Sequence, residues 1–355
     1  MPRIAWENDI LGLVPKTDWL DVGTIVTRPN DPVDQVIDDT KTDNLVAEWE
    51  SLAAEYQIPV MAQFHGFDTE AKTTFRVPVD RHNIEKGLIK VKINQSERMR
   101  TLIRSGVQND DLYEYILRDG IRLSDQVVTR SKVAKNELLA TGKVTIKENN
   151  LNLTVDYGVP NANTSLTLDL SSSADVISQI QTIVDDAKNA GVTITGIYTS
   201  SANINKIRKN TGLQTAINGN IGAGSMIRKT AMEEFLSEEF GINTILTNDL
   251  TYGKSATIGA NGRPNITTAR YYPQNKVTFF ATNPGGRLGR GLWGDPPEID
   301  NARFYSNEEP SSSPFVYVTQ KMEWDPAVIW TKASGLFMPV LFNPNSLYVA
   351  TVTGS

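Results

Sequence analysis

The chain has 355 residues, of which 39% are hydrophobic and 21% are charged, and its formal net charge is −6. This composition is that of an ordinary globular protein and excludes a wholly disordered, collagen-like or purely coiled-coil chain. The sequence contains no Cys and only two His, which excludes disulfides, thiolate nucleophiles and Cys-ligated metal sites. It has no apolar run of the ~18 residues that a membrane span needs, and its acidity argues against a DNA-binding protein of the usual basic kind. The first residues are interrupted by charges and Pro, unlike a secretory signal, so we expect a soluble intracellular chain. Its length predicts two or three domains.

The charge is unevenly distributed along the chain. Residues 1–50 carry eleven acidic and four basic side chains, whereas residues 51–150 carry thirteen acidic and sixteen basic ones. Such segments could be complementary between neighbouring copies of the chain. An ordinary solvated surface explains the same pattern, and both interpretations stay open.

The first 42 residues predict an extended arm. Pro15, Pro29 and Pro32 interrupt this segment, and its apolar residues form no periodic stripe. Trp6 and Trp19 would be costly to leave in water, so we expect the arm to pack on another surface.

The following residues predict a helix and then a projecting β hairpin. The apolar residues between Asp43 and Tyr56 follow a helical spacing, and Pro59 ends the pattern. Two β-rich runs flank a polar tip at 68–72, and a third run, LIKVKI, follows Gly87. The Pro residues and charges of this region favour an arm that finds its partner elsewhere over an autonomous core.

Residues 109–141 give the strongest helical signal of the chain. Its apolar face repeats at spacings of four and seven residues and consists of Leu112, Ile116, Leu123, Val127, Ala134 and Leu138. Gly142 suits the left-handed position that ends many helices. At 1.5 Å per residue this helix would be ~50 Å long, which is unusual for a small domain.

The rest of the chain predicts a strand pair, an α/β unit and closing strands. The strand pair covers 143–158, and the α/β unit covers 174–310. Within that unit the pattern predicts helices at 174–189, 200–210 and 225–240, strands at 192–199, 243–247 and 276–282, and a long loop containing Gly259, Gly262 and Pro264. Residues 314–355 return to a β pattern.

Motifs that bind phosphates or dinucleotides are incomplete. Gly253-Lys254-Ser255 matches the end of a phosphate-binding loop, but Asn248 occupies the position of its first Gly. The Gly residues between 219 and 224 have the wrong spacing for a dinucleotide-binding turn. We therefore interpret that segment as a flexible loop and expect no cofactor.

Signatures of metal binding and of nucleophilic catalysis are also weak. His65 and His82 lie on the predicted hairpin with carboxylates nearby, but a projecting arm would hold a metal poorly. No Ser lies in a G-x-S-x-G elbow, and no pair of acidic residues stands out. We expect neither a metal site nor catalytic residues.

Two stretches carry a resemblance to a known family. In the first, VTRSKVAKNELLATGKVTI leads into LTVDYGVP, so that a helix ends at Gly142 and a strand ends on Asp156-Tyr157-Gly158. The second, NKVTFFATNPGGRLGRGLWGDPPEID, contains the pairs Leu288-Gly289, Trp293-Gly294 and Pro297-Glu298. Together with the order of the elements, these motifs make the sequence resemble the lambda-type capsid protein E family of tailed-phage major capsid proteins over most of its length.

The resemblance implies an α+β fold, the tailed-phage capsid (Johnson) fold. It implies an N-terminal arm at 1–52, an extended β-hairpin loop at 56–83, a peripheral domain at 84–165 and 311–355 with a spine helix at 109–141, and an α/β axial domain at 170–310. It gives structural roles to Gly142, Asp156, Gly158, Gly289, Trp293, Gly294, Pro297 and Glu298.

The resemblance also implies a function. The chain would assemble through pentamers and hexamers into an icosahedral shell that encloses double-stranded DNA without sequence-specific binding. It would be no enzyme, contact no membrane, assemble in the host cytoplasm and remain in the virion, with scaffold, portal and possible decoration proteins as partners. Candidates for inter-subunit contacts are Trp6 and Trp19 on the arm and Phe64, Phe67, Phe75 and Arg76 on the extended loop.

Other functions remain open at the level of the sequence. The same fold forms encapsulin-like nanocompartments, whose particles hold enzymes in place of DNA. The unit at 174–310 could instead belong to an α/β hydrolase or a nucleotide-binding protein, although no pocket is marked. A solute-binding module is a third alternative, weakened by the missing signal peptide.

Overall fold

The computed structural model describes nine segments of the chain, at 31–52, 79–95, 109–219, 226–258, 264–283, 285–298, 312–313, 315–325 and 327–354. The six candidate contact residues Trp6, Trp19, Phe64, Phe67, Phe75 and Arg76 lie outside the described residues. The side chains of Leu112 and Ile116 lie outside the description as well.

The described segments form six α-helices, two short 3₁₀ helices at Pro32–Gln35 and Pro344–Ser346, and seventeen strands. The helices are α1 Asn109–Thr141, α2 Asn161–Thr164, α3 Val176–Asn189, α4 Ser201–Lys209, α5 Thr211–Asn218 and α6 Lys229–Phe240. The first nine strands are β1 Ile37–Lys41, β2 Val46–Leu52, β3 Val79–Glu85, β4 Gly87–Gln95, β5 Lys143–Glu148, β6 Leu151–Asp156, β7 Leu166–Asp169, β8 Gly196–Thr199 and β9 Thr244–Thr247. The others are β10 Thr251–Ile258, β11 Pro264–Arg270, β12 Lys276–Phe280, β13 Gly289–Gly294, β14 Ser312–Ser313, β15 Val316–Trp324, β16 Ala327–Leu341 and β17 Leu347–Thr353.

Helix α1 has the bounds that the sequence predicts for the long helix, and its apolar stripe faces a sheet. Leu123, Val127 and Leu138 are at most 4% exposed. The helix packs on β16 and also contacts β4, β5 and β15. In that sheet the strand order is β1-β13-β16-β15-β14, and β4 also pairs with β16. The long strand β16 therefore organises the first core, which lies between the sheet and α1.

Helix α1 ends at Gly142, whose φ of +69° lies in the left-handed region. Its N–H donates to the carbonyl of Leu138 at 2.8 Å, which closes the last turn. A Cβ at this position would lie 2.9 Å from Cγ2 of Val159. Both the backbone conformation and the space at this position therefore require glycine.

Replacing Gly142 by Ala is expected to lower the free energy of unfolding by about 1–3 kcal/mol, because Ala adopts positive φ at a cost and would clash with Val159. Urea denaturation followed by circular dichroism measures this loss. Gly286→Ala is the matched control, since Gly286 also has a positive φ of +76° but open space around its Cβ position. An equal loss in both variants would show that crowding by Val159 contributes nothing.

A second sheet forms the core of the other half of the chain. Its strand order is β7-β17-β12-β8-β9, with the outer pairs β7–β17 and β8–β9 parallel and the pairs of β12 antiparallel. Its core contains the apolar faces of α3, α4 and α6. On α3 this face consists of Val176, Ile180, Ile183, Val184 and Ala187. Among the helices of the described segments, none is long and apolar enough to span a membrane.

Two expectations from the sequence are wrong. The segment predicted as a helix from Asp43 contains strand β2, in which Ala47 is fully buried while Leu45 before it is 54% exposed. This burial alternates as in a strand because β2 pairs with β3. The predicted long loop before 276–282 is a hairpin in which β10 pairs with β11 from Thr251 opposite Arg270 onwards.

The last strand of the chain lies in the second sheet. The family resemblance assigns 311–355 to the peripheral domain, whereas β17 pairs with β12 and β7. Strands β15 and β16, by contrast, lie in the first sheet beside α1. The C-terminal segment therefore contributes strands to both cores.

Candidate functional site

The root of the predicted extended loop is a two-stranded ladder. Strands β2 and β3 pair from Val46 opposite Glu85 to Leu52 opposite Val79. The ladder therefore holds the two ends of residues 53–78 side by side. The contact candidates Phe64, Phe67, Phe75 and Arg76 all belong to that excursion.

Lys86 fixes this root to the first sheet. The residue lies between β3 and β4 and is 3% exposed. Its Nζ donates to Thr42 Oγ1 at 2.6 Å, to the Thr42 carbonyl at 3.1 Å and to the carbonyls of Asn44 and Trp293. All of these acceptors are neutral, and burial lowers the pKa of Lys86. The ammonium group thus joins the β3–β4 turn, the segment before β2 and strand β13.

The segment before this root is held on α1 by ion pairs. We call residues 31–44 the strap; its strand β1 runs parallel to β13. The fully buried Lys135 of α1 places Nζ 2.8 Å from Asp34 Oδ1 and 2.8 Å from Asp39 Oδ1. Burial raises the pKa of Asp39, and the nearby Lys135 opposes that shift. Asp38, on the same strand, has its Oδ2 3.1 Å from Nη1 of Arg287.

A buried group of polar side chains connects the strap to both cores. We call Asp31, Asn136, Tyr198 and Asn248 the polar junction; each is at most 1% exposed. Asn248 Nδ2 donates to Asp31 Oδ1 at 3.0 Å, and the Tyr198 hydroxyl donates to Asn136 Oδ1 at 2.8 Å. Asn136 Nδ2 lies 3.4 Å from Asp31 Oδ2, and the backbone N–H of Val33 donates to Asp31 Oδ1 at 3.0 Å.

The polar junction joins four parts of the fold, namely the strap, α1, β8 and the segment after β9. Burial raises the pKa of the Asp31 carboxyl and that of the Tyr198 hydroxyl. Such a group is stabilising only while each polar atom keeps its partner. A further bond, from Thr278 Oγ1 of β12 to the Leu139 carbonyl at 2.7 Å, also links the second sheet to α1. The two halves of the chain are therefore connected by directed polar contacts as well as by apolar packing.

The motif Asp156-Tyr157-Gly158 forms a turn that packs on β16. Asp156 Oδ2 lies 2.7 Å from Lys143 Nζ, and its Oδ1 accepts the N–H of Gly158 at 3.0 Å. The hydrogen bond from Lys143 lowers the pKa of Asp156. Gly158 has a φ of +73°, which turns the chain, and the buried Tyr157 donates to the carbonyl of Pro339. The motif thus fastens the β5–β6 hairpin to the first sheet.

The second motif lies at the centre of the first sheet. A Cβ on Gly289 would approach the Val340 carbonyl oxygen to 2.1 Å, so only glycine permits this strand spacing. The fully buried Trp293 ring packs against Phe315 at 5.5 Å and against Phe337 at 4.7 Å between centroids.

The remaining residues of the second motif lie beside that tryptophan. A Cβ on Gly294 would meet Lys86 Nζ at 2.9 Å, so Gly294 makes room for the buried lysine. Pro297 lies in a turn directly before Glu298, and Glu298 forms an ion pair with Lys332 of β16. The motif therefore shapes the contact between β13, β16 and the loop root.

The sequence motif considered for phosphate binding lies in a β strand. Gly253 and Ser255 lie on β10 opposite Thr268 and Thr267, so Gly253-Lys254-Ser255 is part of a β hairpin. A phosphate-binding loop would require a helix directly after it. Within the described part of the chain, no three His, Asp or Glu side chains are grouped so that they could hold a metal ion.

The fold buries charged and polar residues that the sequence does not mark. No motif of the sequence singles out Lys86, Lys135, Asn136 or Asp31, all of which are buried. One signal was available on α1, because Lys135 precedes the apolar Leu139 by four residues and so lies on the same side of the helix. For Lys86 and Asp31 the sequence offers no comparable pattern.

Comparisons with known proteins agree with this architecture. The profile of the family "phage major capsid protein E" matches residues 66–352. No curated protein matches the sequence. A structure assigned as the capsid protein of a prophage of E. coli CFT073 is similar with a TM-score of 0.52 and 11% identity, covering 99% of this chain and 100% of that one.

A phage-related protein from Bordetella bronchiseptica RB50 is similar to the same degree. Its TM-score is 0.52 at 11% identity, with 95% of this chain and 96% of that chain covered. At this identity the structural likeness shows the fold, which is the α+β fold of phage capsid proteins. The profile match over most of the sequence shows more than the fold: the chain belongs to the phage major capsid protein E family.

Proposed function

We propose that the chain assembles through pentamers and hexamers into an icosahedral shell around the double-stranded DNA of a tailed phage. Membership of the family makes it a shell-forming capsid protein of the virion, and the profile match over residues 66–352 is the observation that carries this conclusion. Pentamers and hexamers require contacts that are heterologous and close into rings. The proposal extends to assembly in the host cytoplasm, to scaffold, portal and decoration proteins as partners, and to a structural role without enzymatic activity.

The proposal assigns inter-subunit contacts to the arm and the extended loop. A two-stranded hairpin is at best marginally stable in water, so the excursion rooted at β2 and β3 needs apolar cover from elsewhere. Phe64, Phe67 and Phe75 would obtain that cover from a neighbouring copy, with Arg76 beside them. Trp6 and Trp19 would do the same on the arm, so that assembly stabilises both segments.

The proposal keeps the predicted division of the chain around α1 and the second sheet. A peripheral domain at 84–165 and 311–355 and an axial domain at 170–310 would give the subunit a ring-facing end and an outer end. Strand β17 joins the second sheet and would tie the two together. The net charge of −6 suits DNA that is confined without strong phosphate binding, because tight contacts need clustered Lys and Arg.

Negative-stain electron microscopy of the purified chain, with light scattering for mass, tests the proposal. Closed shells, tubes or ring-shaped capsomers are the expected result. A uniform monomer or dimer, persisting on co-expression with neighbouring phage genes, would overturn it. The contents of the particles distinguish a phage capsid from the alternative, an encapsulin-like nanocompartment, because enzyme-filled shells without DNA would indicate the nanocompartment.

Deletion of residues 60–80 is expected to abolish assembly and to leave a folded, soluble subunit. The ladder pairs from Val46–Glu85 to Glu50–Arg81 and the anchor at Lys86 remain, so both cores stay closed. Particle yield by electron microscopy and the melting temperature by circular dichroism measure the two effects separately. Normal shells from the deletion variant would disprove the assembly role of the loop.

A further inference from the structure

Helix α6 carries its charges in the order opposite to the one that a helix dipole favours. It begins with Arg228 as N-cap, without a side-chain cap, and with Lys229 at its first position. It has no acidic residue in its first turn and no basic residue in its last, where Glu238 and Glu239 lie. Acidic groups stabilise the start of a helix and basic groups its end, so these four charges oppose the dipole of α6 when the subunit is alone. Among the described residues, only Lys229 of these four has a charged partner on the helix itself, because its Nζ lies 3.5 Å from Glu233 Oε1 one turn further on.

The basic start of α6 extends onto the neighbouring helix. Helix α4 ends with basic residues, and Arg208 Nε donates to the carbonyl of Ile227 at 2.8 Å, directly before Arg228. Lys209, Arg228 and Lys229 are exposed. We call Arg208, Lys209, Arg228 and Lys229 the basic end of α6.

The acidic end of α6 consists of Glu234, Glu238 and Glu239, which are exposed. The apolar face of the helix, formed by Met232, Leu236 and Phe240, is at most 4% exposed and fixes α6 on the second core. The charged residues are thus held on a rigid element. At 100° and 1.5 Å per residue, Arg228 and Glu239 lie on the same side of the helix and about 16 Å apart along its axis.

We propose that the basic end of α6 in one copy binds the acidic end of α6 in the next copy of this chain. The inference rests on the proposed function, because it presumes that copies form rings. The two ends are complementary in charge and are different surfaces of the same subunit, so the contact is heterologous and repeats from copy to copy until the ring closes. The neighbour would place carboxylates at the start of α6 and basic groups at its end, as the dipole favours. Docking therefore offsets the unfavourable interaction between the dipole of α6 and the charges at its ends, which remains in the isolated subunit.

Charge reversal separates this contact from an effect on folding. The variants Glu238→Lys/Glu239→Lys and Arg228→Glu/Lys229→Glu are each expected to lower the yield of particles at least tenfold. Their subunits should keep a melting temperature close to that of the wild type, because each reversal improves the dipole of α6, while Lys229→Glu also removes the exposed ion pair with Glu233, which contributes little. Combining all four reversals restores complementarity and should restore assembly. Asp185→Lys/Asp186→Lys on α3 is the matched control, since this acidic pair is also exposed, and it should assemble normally.

Disulfide trapping tests the geometry directly, because the chain contains no Cys of its own. In Arg228→Cys/Glu239→Cys the two thiols of one chain are too far apart to pair, since a disulfide needs Cα atoms within about 7 Å. Oxidation of assembled particles should therefore give a ladder of covalent oligomers on a non-reducing gel. Arg228→Cys/Asp186→Cys is the control and should remain monomeric on the gel.

Three results would overturn the inference, and each has a different meaning. Normal assembly of both charge-reversal variants, without cross-links, would remove the contact and leave the proposed function intact. Lost assembly that the four-charge variant does not restore, again without cross-links, would mean that the charges bind another partner such as a phosphate backbone. Absence of any wild-type particle, also on co-expression, would remove the proposed function and this inference with it.

Discussion

Replacing Val127 by Asp is expected to prevent the chain from folding. Val127 is fully buried on α1, and its Cγ1 lies 3.1 Å from the position that a Cβ on Gly335 of β16 would occupy. A carboxylate there would face the close-packed centre of the first core. Burying an unpaired charge costs more than a typical folding free energy of about 5–15 kcal/mol can offset, unless the group is protonated. Soluble yield and circular dichroism measure the outcome.

Two companion variants separate charge from size and position at this site. Val127→Ala removes volume without adding charge and should cost only a few kcal/mol, about 1–3, in urea denaturation. Gln126→Asp introduces the same carboxylate one position earlier, on the exposed side of α1, and should fold and assemble normally. A soluble, particle-forming Val127→Asp variant would contradict the assignment of this helix face to the core.

The long helix could be predicted because all of its local signals agree. Its apolar residues repeat in sequence at spacings of four and seven residues over the whole span, and Gly142 supplies the left-handed end. The glycines of the second motif were singled out by the family resemblance and not by local geometry, because the groups that crowd them are distant in sequence. Gly289 and Gly294 are required by the tight approach of β16 and of Lys86.

Segments whose structure depends on distant pairing could not be predicted. The residues after Asp43 have a helical spacing, but the ladder with β3 makes them a strand, so tertiary pairing overrides the local pattern. Between 251 and 270, where β10 and β11 pair, Gly259 and Pro264 predict a long loop. Pro264 is in fact tolerated at the first position of β11, where it pairs with Ile258.

The buried polar contacts are the part of the structure that the sequence pattern predicts least. Lys135 is more than ninety residues from its partners Asp34 and Asp39, and Asn248 is farther still from Asp31. No periodicity relates such positions, because each pair is brought together only by the complete fold. We nevertheless expect these contacts to contribute strongly to the free energy of unfolding, and replacing Lys135 measures that contribution.

Replacing Lys135 by Met is expected to lower the free energy of unfolding by about 3–5 kcal/mol at pH 8, because the change leaves carboxylates of the strap without their buried partner. Asp39 would be affected most, since Asp34 is 39% exposed and also lies near Lys132, at 3.5 Å. Methionine fills a volume similar to that of the lysine stem, so the loss reports on charge rather than on a cavity. Urea denaturation of the variant and the wild type gives the difference.

The pH dependence of that loss identifies its cause. Burial already raises the pKa of Asp39 above its ordinary value of 3.8, and removal of Lys135 takes away the charge that opposes this shift. A carboxyl whose pKa is higher in the folded state than in the unfolded state binds its proton more readily when folded, so its unfavourable contribution fades as the pH falls through the folded-state pKa towards 3.8. The deficit of Lys135→Met should therefore shrink on acidification. In Lys135→Met/Asp39→Asn the charge is absent, so part of the stability should return and the deficit should vary little with pH. If the single variant lost the same free energy at every pH, the loss would come from packing around the lysine stem, and the strap would be held on α1 by shape rather than by charge.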